Sequence, residues 1–114
     1  MRGAWKHLWS GGMMDYVAFL RFRPSASSSE RDNALARRAT WEYPSSARMI
    51  AEYWPMSSDI QVVSIFSTDD VASVMEFEFE WGDVFDIDIS PAVASEEGLK
   101  IGADVFGRLS RLNP

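Results

Sequence analysis

Alternation of apolar and polar positions, and its replacement by helical spacing, divides this chain into short elements. Residues 15–23 alternate as a strand. Tyr16, Ala18, Leu20 and Phe22 fall on one face, and Val17, Phe19, Arg21 and Arg23 on the other. Pro24 stops it, and residues 25–29 form a small-residue linker. A helix then runs to about Trp41, with Ser29 and Asp32 at capping-box spacing and a thin apolar stripe of Ala34, Leu35, Ala39 and Trp41. Arg31, Arg37 and Arg38 make its outer side basic, which is what a solvated helix face looks like. Tyr43-Pro44-Ser45-Ser46 signals a turn. Residues 48–54 read as a second strand, in which Met49, Ala51 and Tyr53 alternate against Arg48, Ile50, Glu52 and Trp54. Residues 55–59 turn the chain, and 60–66 form a mostly apolar strand suited to a central position.

Residues 69–91, DDVASVMEFEFEWGDVFDIDISP, admit two patterns. Residues 76–81 and 85–89 both alternate, and Gly82-Asp83 between them suits a two-residue hairpin turn. Register opposes the hairpin. A two-residue loop sets Glu80 against Phe85 and Phe79 against Asp86, so both faces mix carboxylates with large apolar groups. A three-residue loop sets Glu80 against Asp86 and Glu78 against Asp88, like charges directly opposed. A helix over 69–81 fits better. Thr68 or Asp69 caps it, Asp69 and Asp70 face the positive end of its dipole, and Gly82 follows its end. At about 100° per residue, Val71, Val74, Met75 and Trp81 share a face with Phe77 and Phe79 on its flanks, and Glu78 is the one carboxylate inside that stripe. Residues 84–90 then form a strand closed by Pro91. Residues 95–112 form a last helix, capped by Ser95, with Leu99, Ala103, Phe106 and Leu109 in a stripe joined by Val105 and Leu112. Gly98, Gly102 and Gly107 weaken it by roughly 1 kcal/mol each relative to Ala, at a spacing suited to close packing against another chain.

The order β-α-β-β-α-β plus a C-terminal helix predicts an α+β, ferredoxin-like antiparallel sheet with two helices on one face. The opposite face carries Phe19 and its register mates and needs a cover, for which a second copy of the chain is the usual solution. The fold class expected is therefore a dimeric α+β barrel, a homodimer joined through the open sheet face.

Composition narrows this picture. With 114 residues, 46% hydrophobic, five Trp and seven Phe, one domain with one modest core is expected. A net charge of −6 opposes nucleic-acid and anionic-membrane binding. The chain has no cysteine, which excludes disulfides, thiolate catalysis and thiolate metal sites and is compatible with a cytoplasmic location. No apolar run approaches the roughly 20 residues of a membrane span. Residues 1–13 differ from the rest and hold the single histidine, His7. Two accounts stand: translation natively starting at Met13 or Met14, or a flexible arm whose Trp5, Leu8 and Trp9 dock on a neighbour. Residues 14–114 form the single domain.

Three constellations carry candidate chemistry. Glu78, desolvated on the inner stripe of its helix, would be a general base; the plainer reading is a rim carboxylate or one paired with an arginine. Arg21 and Arg23 on the first strand and Asp86 and Asp88 on the last share a face of adjacent strands, and would either hold a small ligand or pair with one another. Tyr53, Trp54 and Trp81 would line an apolar pocket for a small apolar or aromatic ligand, or simply fill the core. Asp83, Asp86 and Asp88 lack the calcium-loop pattern, so no metal site is expected. With no G-x-S-x-G elbow, no phosphate-binding glycine loop and no histidine in the domain, a Ser-His triad is excluded and no cofactor is called for.

The strand ending in Trp54, the apolar strand after it, Ser67-Thr68-Asp69-Asp70, Trp81-Gly82-Asp83, and Phe85-Asp86-Ile87 leading to Ser90-Pro91-Ala92-Val93 together resemble a family of small prokaryotic proteins of unknown function, DUF3303. The resemblance covers residues 14 to about 97. It implies a helix before Trp81 and a dimeric α+β barrel, in a superfamily that includes cofactor-independent monooxygenases, lactone isomerases and stress-response barrels. Where relatives carry a polar or His residue after the first Trp, Pro55 stands here. Fold does not fix function, so two readings remain: a small-ligand-binding or structural homodimer, or a small cofactor-independent enzyme, monooxygenase- or isomerase-like, with Glu78 as base in a pocket between sheet and helices.

Overall fold

A computed structural model describes residues 12–112; the rest of the expected N-terminal extension, His7 included, lies outside the described residues. The elements follow in the order β1 (Met14–Phe22), α1 (Ser28–Thr40), β2 (Ala47–Tyr53), β3 (Val62–Thr68), α2 (Val71–Trp81), β4 (Phe85–Ala92) and α3 (Ser95–Leu112). The strands hydrogen-bond in the order β2-β3-β1-β4, every pair antiparallel. This is the ferredoxin-like arrangement, and Val71–Trp81 is helix and not hairpin.

Register sorts the side chains. Leu20 stands between Val62 and Ile87, and Ala18 between Ser64 and Ile89, on the face covered by α1 and α2. Ala18, Leu20, Val62, Phe66 and Phe85 from the sheet meet Ala34 of α1 and Phe77 and Trp81 of α2 in one buried core. The other face carries Val17 and Phe19 of β1 beside Ile65 and Val63 of β3, with Arg21, Asp86 and Asp88 toward the β4 edge. These four apolar side chains are only half-buried.

Several local expectations are corrected. The capping box is Ser27 with Glu30, whose side chains reciprocally bond each other's backbone, two residues before the expected one. Asp70, not Thr68 or Asp69, caps α2, accepting from the Ala72 amide at 3.0 Å. β4 runs through Pro91, tolerated because β4 is an edge strand whose outer side needs no donor. In β2 the register shifts between Met49 and Ala51, a bulge that breaks the simple alternation and turns Glu52 toward the helices, opposite Ser64. Arg38 is buried and not on a solvated face.

The stripe of α2 is also rotated. Ser73, Phe77 and Trp81 point inward, while Val71, Met75 and Phe79, spaced four apart, are exposed, Phe79 by 79%. Apolar residues surround most of this helix, so periodicity alone did not distinguish its two sides. Gly82 ends it in the right-handed region; a Cβ there would lie 2.8 Å from the Glu78 carbonyl oxygen, so close approach is what requires glycine.

Candidate functional site

α1 presents Arg38 to the sheet one turn beyond Ala34, and the β2 bulge presents Glu52 to meet it. Arg38 donates from Nε to Glu52 Oε2 at 3.1 Å and from Nη2 to Oε1 at 2.7 Å, a bidentate pair. The Tyr43 hydroxyl donates to Glu52 Oε1 at 2.6 Å and hydrogen-bonds Ser64. Trp54 Nε1 donates to Glu52 Oε2 at 3.0 Å. Among the described residues, Arg38 Nη1 has no hydrogen-bond partner. Ring faces take that place: the guanidinium lies 4.6 Å from Trp41, 4.8 Å from Trp81, 5.1 Å from Phe77 and 5.7 Å from Tyr43, measured to ring centroids.

This environment moves two titrations. Burial pushes Tyr43 up, the Glu52 acceptor adds to it, and the phenol reaches about 12. Burial acts to raise Glu52, but the hydrogen bonds from Arg38, Tyr43 and Trp54 outweigh it and hold the carboxyl below its usual range. The cluster is a bidentate ion pair in which Glu52 accepts from Arg38, Tyr43 and Trp54. Of its members only Trp54 was singled out in the sequence, as a pocket wall; the available signal for the rest was the Ala34, Arg38, Trp41 spacing on one side of α1.

The expected site residues fall in three places. Glu78 is exposed, so the desolvation on which its general-base reading rested is absent. It lines an open groove of about 500 Å³ with Arg23, Phe79, Gly82, Phe85, Asp86 and Ile87. Three of the named residues, Glu78, Arg23 and Asp86, therefore come together, at the seam between α2 and the β4 edge. Arg23 donates to the Gly82 carbonyl at 2.8 Å and approaches Asp86 at 3.8 Å. Arg21 shares a smaller groove of about 240 Å³ with Asp86, but pairs with Asp59 at 3.0 Å. Asp88 is exposed opposite Phe19. The aromatic trio is not assembled. Trp81 is fully buried against Trp41 and Phe85, whereas Tyr53 and Trp54 are exposed, neither core nor pocket wall. Among the described residues, no cluster of three or more acids and histidines could hold a metal ion, and no helix is long and apolar enough to cross a membrane.

Sheet order and helix placement define an α+β protein of the ferredoxin-like class. The chain belongs to the family described as a domain of unknown function, DUF3303, whose family model matches residues 14–106. No curated protein and no solved structure matches it.

Proposed function

We propose that this protein works as a homodimer in which two open sheet faces pack together as a dimeric α+β barrel, with a structural or small-ligand-binding role in the cytoplasm. The observation that carries this reading is the face formed by Val17, Phe19, Val63 and Ile65. These side chains stand on the two central strands, opposite the helix layer. An apolar sheet face of this kind loses free energy in water, and a second copy offers a self-complementary surface. Arg21 and Asp86 directly oppose each other at its margin, giving a rim of mixed charge. The enzyme alternative is less well supported, because Glu78 lies in an open groove and not in a water-excluding cavity. The groove is the place a small ligand would meet Glu78, Arg23 and Asp86.

The test is sedimentation analysis of the full chain at micromolar concentration, beside Phe19→Asp. The wild type should sediment as a dimer. The variant, whose new carboxylate would be desolvated in the interface, should be a folded monomer. A monomeric wild type would refute the proposal.

A further inference from the structure

α3 has no partner. It leaves β4 after only Val93 and Ala94, and its 18 residues reach about 27 Å. None of its residues is buried. Leu99, Ile101, Phe106, Leu109 and Leu112 are exposed, by 74% at Leu99 and 75% at Leu112. A Cβ placed on Gly102 or Gly107 would meet only α3's own side chains within 4 Å. The molecule measures 61 × 30 × 19 Å with a radius of gyration of 17.8 Å, against about 13 Å for a compact chain of this size. α3 projects like an arm. It is not an appendage foreign to the domain, because the family match runs through most of it, to residue 106.

At about 100° per residue, Leu99, Ile101, Val105, Phe106, Leu109 and Leu112 occupy one half of the helix, with Gly98 and Gly102 on the same side. The polar half carries Glu96, Glu97 and Asp104 against Lys100, Arg108 and Arg111, a charge of zero. That balance gives no attraction to anionic membrane or nucleic acid and leaves a protein surface as the occupant. Among the described residues a second apolar strip is exposed: Val71, Met75 and Phe79 on the outside of α2, with Phe79 at the wall of the groove at the β4 edge.

Resting on the sheet-face dimer proposed above, we infer that the two protomers exchange arms: α3 of each copy seats its apolar half on the partner's exposed α2 strip of Val71, Met75 and Phe79, at the edge of the groove between α2 and β4. Interface area argues for it. A four-strand face about 19 Å by 23 Å offers roughly 450 Å², short of the roughly 800 Å² per partner of a standard stable interface. Two seated helices, each about 27 Å by 10 Å, make up the difference. Exchange also covers both exposed strips of α2 and α3 with one contact repeated by symmetry.

The absence of native cysteine makes the test direct. Full chains carrying Phe79→Cys are mixed with full chains carrying Phe106→Cys, refolded together and oxidised. The expected product is a disulfide-linked pair of unlike chains. In parallel, Phe106→Glu should raise the dimer dissociation constant at least tenfold while leaving the thermal unfolding of the core unchanged. If Phe19→Asp dissociates the dimer but Phe106→Glu does not and no mixed disulfide forms, arm exchange fails and the sheet-face dimer stands. If Phe106→Glu dissociates it and Phe19→Asp does not, the sheet-face reading fails. A disulfide formed only between two Phe106→Cys chains would show the arms pairing with each other and overturn the α2 strip as their seat. Binding of α3 to neutral or anionic phospholipid vesicles by the wild type, with no change in either dimer assay, would overturn exchange as well.

Discussion

Arg38 shows how one residue can hold several elements at once. Its guanidinium ties α1 to β2 through Glu52 and lies among the rings of Trp41, Tyr43, Phe77 and Trp81. A buried ion pair gains little over a well-packed apolar pair, but breaking it from one side is costly because a charge is left uncompensated. Glu52→Gln should therefore destabilise the fold by about 3 kcal/mol at neutral pH, read by urea unfolding. The pH dependence has a definite sign. Glu52 titrates below its usual value of 4.5 in the folded chain, so its contribution is present above that value and is lost as pH falls through the lowered pKa. Wild type and Glu52→Gln should accordingly converge in stability in acid. A constant gap down to the acid limit would mean that the pairing charge is not the source of the effect. None of this was legible from residue type. An arginine in a basic helix turn reads as solvated, and Glu52 reached the interior only through the β2 bulge, which alternation does not encode.

At the scale of elements, the ambiguous segment before Gly82 shows what pattern can and cannot decide. Strand register rejected the hairpin because carboxylates would have met rings, and α2 is a helix as that argument requires. Which side of α2 faces the core was not decidable from periodicity, because Val71, Val74, Met75, Phe77, Phe79 and Trp81 span an arc of about 200°, wider than the face the core covers. Neighbours decided it: Phe66 stacks on Phe77 at 5.3 Å, and Trp41 meets Trp81 edge-on at 5.5 Å. The consequence separates two phenylalanines two residues apart. Phe77→Ala should cost about 3–5 kcal/mol by thermal or urea unfolding. Phe79→Ala should leave the folding of a monomeric Phe19→Asp background within about 0.5 kcal/mol, since its ring is already in water there. Equal losses at the two positions would contradict the orientation of α2. The same rotation moved Glu78 from the interior to the groove rim, so the candidate site shifted with the helix face and not with the helix itself.

At the scale of the molecule, the architecture was legible because element order, linker lengths and the lone open sheet face are properties of the whole pattern, robust to errors of two residues at any cap. α3 has the bounds expected of it, Ser95–Leu112, yet its projection could not be read from the sequence, since an amphipathic stripe does not say which surface it will meet. Its glycines allow the two possibilities to be told apart. Gly107 lies on the polar side, where an added Cβ would make only ordinary contact with Arg111 at 3.8 Å, so Gly107→Ala should stabilise α3 by about 1 kcal/mol and leave the dimer constant unchanged. Gly102 lies on the apolar side, and within one chain its Cβ meets nothing closer than Phe106 at 3.9 Å. Gly102→Ala should therefore raise the helix propensity of the arm as Gly107→Ala does. If another backbone approaches α3 there, the methyl group must push it away, and the dimer should weaken despite the better helix. Helicity by circular dichroism and the dimer constant by sedimentation, measured on both variants, separate the effects: opposite changes at Gly102 and a gain in helicity alone at Gly107 place a partner against the apolar side, whereas matching behaviour at the two positions leaves that side in solvent.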